Sequence, residues 1–239
     1  MSIGDKRKAA RRSRLAPSRT QGQNGAMIET TTRARRGPQR GVARSTTAED
    51  ILNAAERIFA ELGFAGASLD DIADAVGIRR PSVLHHFRSK RAIYDAVEGR
   101  IFEELDRRGA ARDAGLAPAE ALWALLDTWL QFMIARPHAA RIIARNSADL
   151  VSRTEGNPTL FSESAVFAFD EILRDGIAKG VFRDVKPALA LNIIGSAIPA
   201  YVCNAEQLGK GRGYTADAPE TLQSFREMLQ AALRGILIA

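Results

Sequence analysis

The chain has 239 residues, 46% hydrophobic and 26% charged, with one cysteine, Cys203, and three histidines. This composition excludes collagenous, wholly disordered and multipass membrane classes, while so few Cys and His residues exclude a disulfide framework or a zinc site and point to a reducing, cytoplasmic setting. The formal net charge of +6 is an average of unlike parts: residues 1–45 hold 12 of the 34 Lys+Arg and 2 of the 28 Asp+Glu, so that segment is +10 and the rest about −4.

Residues 1–45 lack an apolar period and are rich in Arg, Ser, Thr, Gly and Gln, with runs such as Lys6-Arg7-Lys8 and Arg35-Arg36. They are expected to form a disordered basic arm. No apolar stretch follows the basic start, so a secretory signal is not expected, although the Arg-rich, acid-poor texture overlaps with organellar transit peptides. Met27 offers a second start within the arm.

From Thr46 onward the apolar spacing is helical, which makes the fold class all-α. Ile51, Ala54, Ala55, Ile58, Phe59 and Leu62 lie on one face of a first helix, with Thr46 or Thr47 as N-cap and Gly63 as its stop. Ser68 caps a short second helix with Asp70 and Asp71 in its first turn and Leu69, Ile72, Ala73 and Val76 inside; Gly77 ends it. A third short helix opens at Pro81 and buries Val83, Leu84 and Phe87, and a long fourth helix starts at Lys90 after Ser89.

Beyond a break from Gly109 to Pro118, helices are expected at about 119–135, 138–151, 159–179, 187–205 and 218–237, with loops over 153–158, 180–187 and 209–219. The first of these has apolar residues on two faces and should be central and buried. Pro187 to Ala205 is 19 residues without a charge. It just reaches transmembrane length, but Asn192, Ser196, Pro199, Asn204 and many small residues suit a buried soluble helix better, and no membrane partner is expected.

Two short helices joined by a glycine turn form the pattern of a helix-turn-helix, at about 68–87. Ala73 permits close approach, Gly77 can take the positive φ of the turn, and Val83 fills the angle between the helices. Spacing then turns Ser82, His85 and His86 outward, with Arg79 and Arg80 at the end that enters a major groove. From Arg79 to Arg91 there are five basic residues and no acid. An arginine can clasp O6 and N7 of guanine, Ser82 can reach a base or a phosphate, and His85, His86 and Lys90 suit phosphates. Ser68 completes the expected DNA-contact set. Adjacent helical histidines point apart, so no metal is expected at His85-His86.

The run from Ser68 to Ile78, followed by Arg79-Arg80-Pro81-Ser82-Val83-Leu84-His85-His86-Phe87 and Ser89-Lys90, resembles the DNA-binding domain of the tetracycline-repressor (TetR/AcrR) family. Leu84 stands where that family usually has tyrosine, and Arg79 where it has a small or polar residue. The resemblance implies about nine helices, a helix-turn-helix domain at 46–105 and a C-terminal domain at 106–239 that binds a small effector and dimerises through its last two helices. Gly180-Val181-Phe182-Arg183 before Pro187 is similar to the approach to the family's eighth helix.

A two-fold dimer reads a palindromic operator. Leu222, Phe225, Leu229, Ala232, Leu233 and Ile236 on the last helix fit either that interface or an intramolecular core. Expected pocket residues are Trp123, Trp129, Phe132, Met133, Phe167 and Phe169, each also compatible with ordinary core. The resulting reading is a ligand-responsive repressor; constitutive repression or architectural DNA binding is the alternative. Asp127, His138 and Cys203 are scattered outside any catalytic motif, so neither enzyme activity nor a cofactor is expected.

Overall fold

A computed structural model describes residues 47–110, 115–149, 161–213 and 215–238. The basic arm, Thr46 and the loop at 153–158 lie outside the described residues.

The described residues form nine helices: α1 (Thr47–Gly66), α2 (Leu69–Val76), α3 (Arg80–His86), α4 (Lys90–Ala110), α5 (Pro118–Ala135), α6 (Pro137–Asp149), α7 (Glu163–Ala178), α8 (Pro187–Gly209) and α9 (Pro219–Leu237). Gly63 breaks α1, as expected of its stop, with φ 73° and ψ 170°. Ser162 caps α7, its hydroxyl accepting from the Ala165 N–H; the expected start at 159 lies outside the described residues. α8 runs four residues past its expected end, through Pro199.

The apolar stripes pack as one continuous core. Ile51, Ala55 and Phe59 of α1 meet Ile72 and Ala73 of α2, Val83 of α3, and Ile93, Tyr94 and Val97 of α4, and the same core continues through α5 and onward. The expected domain boundary at 105/106 therefore falls inside α4, directly after buried Leu105, and the same core resumes at Ala121 and Leu122 of α5. α5 is central as expected, with Leu122, Leu125, Leu126, Trp129, Leu130, Phe132 and Met133 all buried. α6 packs against α1 on one side and α8 on the other.

The last two helices differ from expectation. In α8, Ala190, Leu191, Ile194 and Ile198 are buried, but Leu189 and Ile193 are 60% and 63% exposed, so this helix is half-buried rather than enclosed. Along α9, Leu229, Leu233 and Leu237 are buried, and Leu222, Phe225 and Ile236 pack against the chain's own core. Except for Ala232, the expected stripe thus faces inward. The outward face of α9 carries Ser224, Met228, Ala231, Ala232 and Gly235 instead. Both readings share one helical spacing, and the placement of the chain's own α5 and α8 against α9 separates them.

Candidate DNA-binding interface

The reading head is fixed by local chemistry. Ser68 accepts a hydrogen bond from the Asp71 N–H at 3.1 Å and donates its hydroxyl to Asp71 Oδ2 at 2.7 Å, while the Ser68 N–H donates to the same carboxylate. These bonds hold the Asp71 carboxyl below its ordinary value. The only hydroxyl proton of Ser68 is therefore spent inside the capping box, which makes Ser68 a helix cap rather than a free donor to phosphate.

At the other end of α2, Gly77 sits at φ 76°, ψ 30°, the left-handed geometry the turn requires. The Gly77 N–H donates to Asp74 and the Ile78 N–H to Ala73. Ala73 and Val83 are 2% and 0% exposed, so the close approach and the plug between α2 and α3 are as expected.

With Val83 inside, α3 exposes Arg80, Ser82, Leu84, His85 and His86, and its extended N-cap Arg79 is exposed too. Leu84, expected in the core, is 40% exposed: it is turned about 100° around the helix from Val83, and on α3 that side faces solvent. Arg80 makes a 3.2 Å ion pair with Asp70, but the two side chains are 55% and 61% exposed. Such a pair is worth under about 1 kcal/mol, little enough for Arg80 to exchange it for a base edge. The His85 and His86 rings stand edge to face with centroids 5.5 Å apart.

Lys90 departs from expectation. Its ammonium donates to Phe64 O at 2.7 Å and Ala67 O at 2.8 Å, and lies 4.6 Å from the Phe64 ring centroid. It ties the start of α4 to the α1–α2 connection instead of projecting toward phosphate. Arg91 in turn pairs with Asp95 at 2.6 Å. Of the five cations, Arg79, Arg80 and Arg88 remain as the exposed positive surface.

A polar junction absent from the sequence reading holds the head to the remaining helices. Arg136, the C-cap of α5, donates to Glu56 of α1 and Glu104 of α4, each at 2.5 Å, and Arg100 donates to Glu56 at 2.8 Å and Asn53 at 2.7 Å. Burial alone would raise the Glu104 carboxyl, but Arg108 and Arg136 outweigh it and hold it below its ordinary value. On α6, Arg145 donates to the carbonyls of Ala60 and Glu61, and buried Asn146 accepts from Tyr94 Oη at 2.8 Å and donates to Glu98 at 2.6 Å. These partners lie from 32 (Arg136 and Glu104) to 85 (Arg145 and Ala60) residues apart in sequence, beyond the reach of any periodicity argument.

The six aromatic and Met candidates are not brought to one cavity. Trp129, Phe132 and Met133 are 3%, 0% and 4% exposed and belong to the core, where Trp129 stacks on Phe161 with centroids 5.7 Å apart. Phe167 and Phe169 border a cavity of about 430 Å³ with Phe161, Pro187 and Leu191, and Phe167 itself is 63% exposed. Trp123 borders a separate cavity of about 230 Å³ between α5 and α9.

Comparison with known proteins agrees with this geometry. The model for bacterial regulatory proteins of the tetR family matches residues 51–97, and one for the tetracyclin repressor-like C-terminal domain matches residues 118–233. The chain is 28% identical over 141 residues to the HTH-type transcriptional repressor NicS of Pseudomonas putida, covering 58% of this chain and 66% of NicS. To the HTH-type transcriptional repressor KstR2 of Mycolicibacterium smegmatis it is 30% identical over 139 residues, covering 56% of this chain and 67% of that one. The match to the Staphylococcus aureus regulator IcaR reaches 43% but spans 58 residues, 24% of this chain and 31% of IcaR. Among solved structures, the putative transcriptional regulator SCO4942 of Streptomyces coelicolor shares the fold at TM-score 0.61 and 24% identity, over 80% of this chain and 98% of that one. KstR2 of Mycobacterium tuberculosis, described as a ketosteroid transcriptional regulator, does so at TM-score 0.60 and 23% identity, over 81% and 96%. The chain belongs to the tetR family of bacterial regulatory proteins.

Proposed function

We propose that this chain is a cytoplasmic transcriptional repressor that binds operator DNA as a homodimer through α3 and is released by a small-molecule effector. The observation that carries the reading is the α2–Gly77–α3 unit with its outward Arg79, Arg80 and Ser82. In the bound state α3 enters a major groove: Arg79 or Arg80 clasps a guanine edge, Ser82 reaches a base or a phosphate, and His85, His86 and Arg88 meet the backbone. Residues 46–105 act as the reading head, and 106–239 as the effector and dimerisation part. The named repressors among the relatives support this reading.

The dimer forms on the outward faces of α8 and α9, where Leu189, Ile193 and Met228 are 60 to 64% exposed beside small residues. A two-fold pair of α3 helices then meets half-sites about 34 Å apart, so the operator is an inverted repeat. Footprinting on the DNA upstream of the protein's own reading frame tests this. Protection of two symmetric half-sites is the expected result, and protection of a single asymmetric half-site overturns it. Competition with random DNA separates a repressor from an architectural binder, the former preferring its site by about 10³ or more.

A further inference from the structure

The cavity between α5 and α9 has a composition unlike the packed core around it. Its walls are Leu122 and Trp123 from the start of α5, Phe182 from the loop before α8, and Leu233 and Leu237 from α9. Phe182 is a fixed wall: its ring lies so close to Gly176 that a Cβ there would come within 2.0 Å of it. The volume of about 230 Å³ exceeds the roughly 150 Å³ that accepts benzene in an apolar protein cavity, yet falls below the usual range of about 300 Å³ and more for larger ligands. One ring with one polar substituent fits.

The polar residues at this cavity are Glu120, Gln230 and Arg234. Glu120 turns its carboxylate back onto the Ala117 N–H at 3.3 Å, within the first turn of α5. Arg234, in the last turn of α9, is exposed, and no side-chain partner for it occurs among the described residues. The cavity therefore combines apolar walls with one cation that has no side-chain partner among the described residues, the charge complement of a carboxylate, while the Glu120 carboxylate is turned to the Ala117 N–H.

The cavity also lies where α9 is otherwise held at discrete points. Arg226 donates to Asp127 of α5 at 2.8 Å, and Phe225 stacks on Tyr201 of α8 with centroids 3.8 Å apart. At the far end, Phe182 bridges to Ile238, the Arg183 N–H donates to Leu237 O at 2.7 Å, and the Arg183 guanidinium donates to Gly235 O. A ligand here fills the space between these ties.

We propose that this cavity binds a single-ring apolar monocarboxylate, the ring against Trp123 and Leu233 and the carboxylate on Arg234, and that occupancy fixes α9 against α5. That fixing α9 bears on the dimer rests on the repressor reading above; the binding itself does not.

The test uses benzoate as probe and benzamide as its neutral control, with the full chain, by ligand-observed NMR and calorimetry. Benzoate should bind saturably and roughly tenfold more tightly than benzamide, and Arg234→Gln, at an exposed position that leaves the fold intact, should abolish that preference. Trp123→Ala should weaken both probes, with circular dichroism confirming the fold. Absence of saturable benzoate binding, equal affinity for the two probes, or an unchanged preference in Arg234→Gln overturns the proposal. A protein that footprints an operator but ignores benzoate defeats the site alone; one that binds benzoate but no operator defeats the repressor reading alone.

Discussion

Arg136→Ala is the substitution expected to separate the reading head from the rest of the chain most sharply. It removes two charge-assisted hydrogen bonds at 2.5 Å from carboxylates whose side chains are 10% (Glu56) and 23% (Glu104) exposed. Breaking a fully buried ion pair costs about 3 to 5 kcal/mol because the remaining charge is stranded. Here Glu56 keeps Arg100 and Glu104 keeps Arg108, and Arg136 is itself 20% exposed. The expected loss is therefore about 2 kcal/mol, including its contact over the Phe132 ring. Urea unfolding at fixed protein concentration measures it, and a double-mutant cycle with Glu56→Gln should return a coupling of about 1 kcal/mol or more. Acidification gives a second readout. Glu104 is held below the ordinary glutamate value of 4.5, so its contribution is full above that pH and is lost as pH falls through the lower folded value. Arg136→Ala should consequently lose less stability than the parent chain on acidification. A loss under about 0.5 kcal/mol with no coupling would refute the claim that this junction holds the head in place.

Other substitutions test the head itself. Lys90→Met should lower stability by about 1 to 2 kcal/mol by stranding the Phe64 and Ala67 carbonyls, while the salt dependence of DNA binding stays as it was; a salt slope reduced by about 1 would return Lys90 to the phosphate contacts. Gly77→Ala meets no atom within 4 Å, so only the positive φ opposes it, and thermal unfolding should register about 1 to 2 kcal/mol. Arg80→Ala should relax discrimination at one base pair by about 1 to 3 kcal/mol in a competition assay, whereas a uniform loss across all sequences would assign Arg80 to phosphate.

What could be read in advance was what depends on neighbours in sequence. The stripe of α1, the cap at Ser68, the turn at Gly77 and the plug at Val83 each follow from spacings of a few residues. The role of Lys90 is not legible in this way, because its ammonium reaches back 26 residues to Phe64 O and helix-start chemistry alone favours phosphate equally well. Glu56 sits on the buried face of α1, and a carboxylate in an apolar stripe is a signal that a cation must come from elsewhere; which cation, Arg136 or Arg100, no spacing could say. The inward stripe of α9 has the same limit: Leu229 and Leu233 look alike whether they face α5 or a second copy.

Selection from random DNA with the purified chain bears most directly on the claim that α3 of a dimer reads an operator. The expected result is enrichment of an inverted repeat with half-site centres about 34 Å, one helical turn, or a multiple of it apart, with Arg80→Ala losing preference at one symmetric pair of positions. Enrichment of no motif, or of one that Arg79→Ala and Arg80→Ala together leave unaltered, would contradict the account.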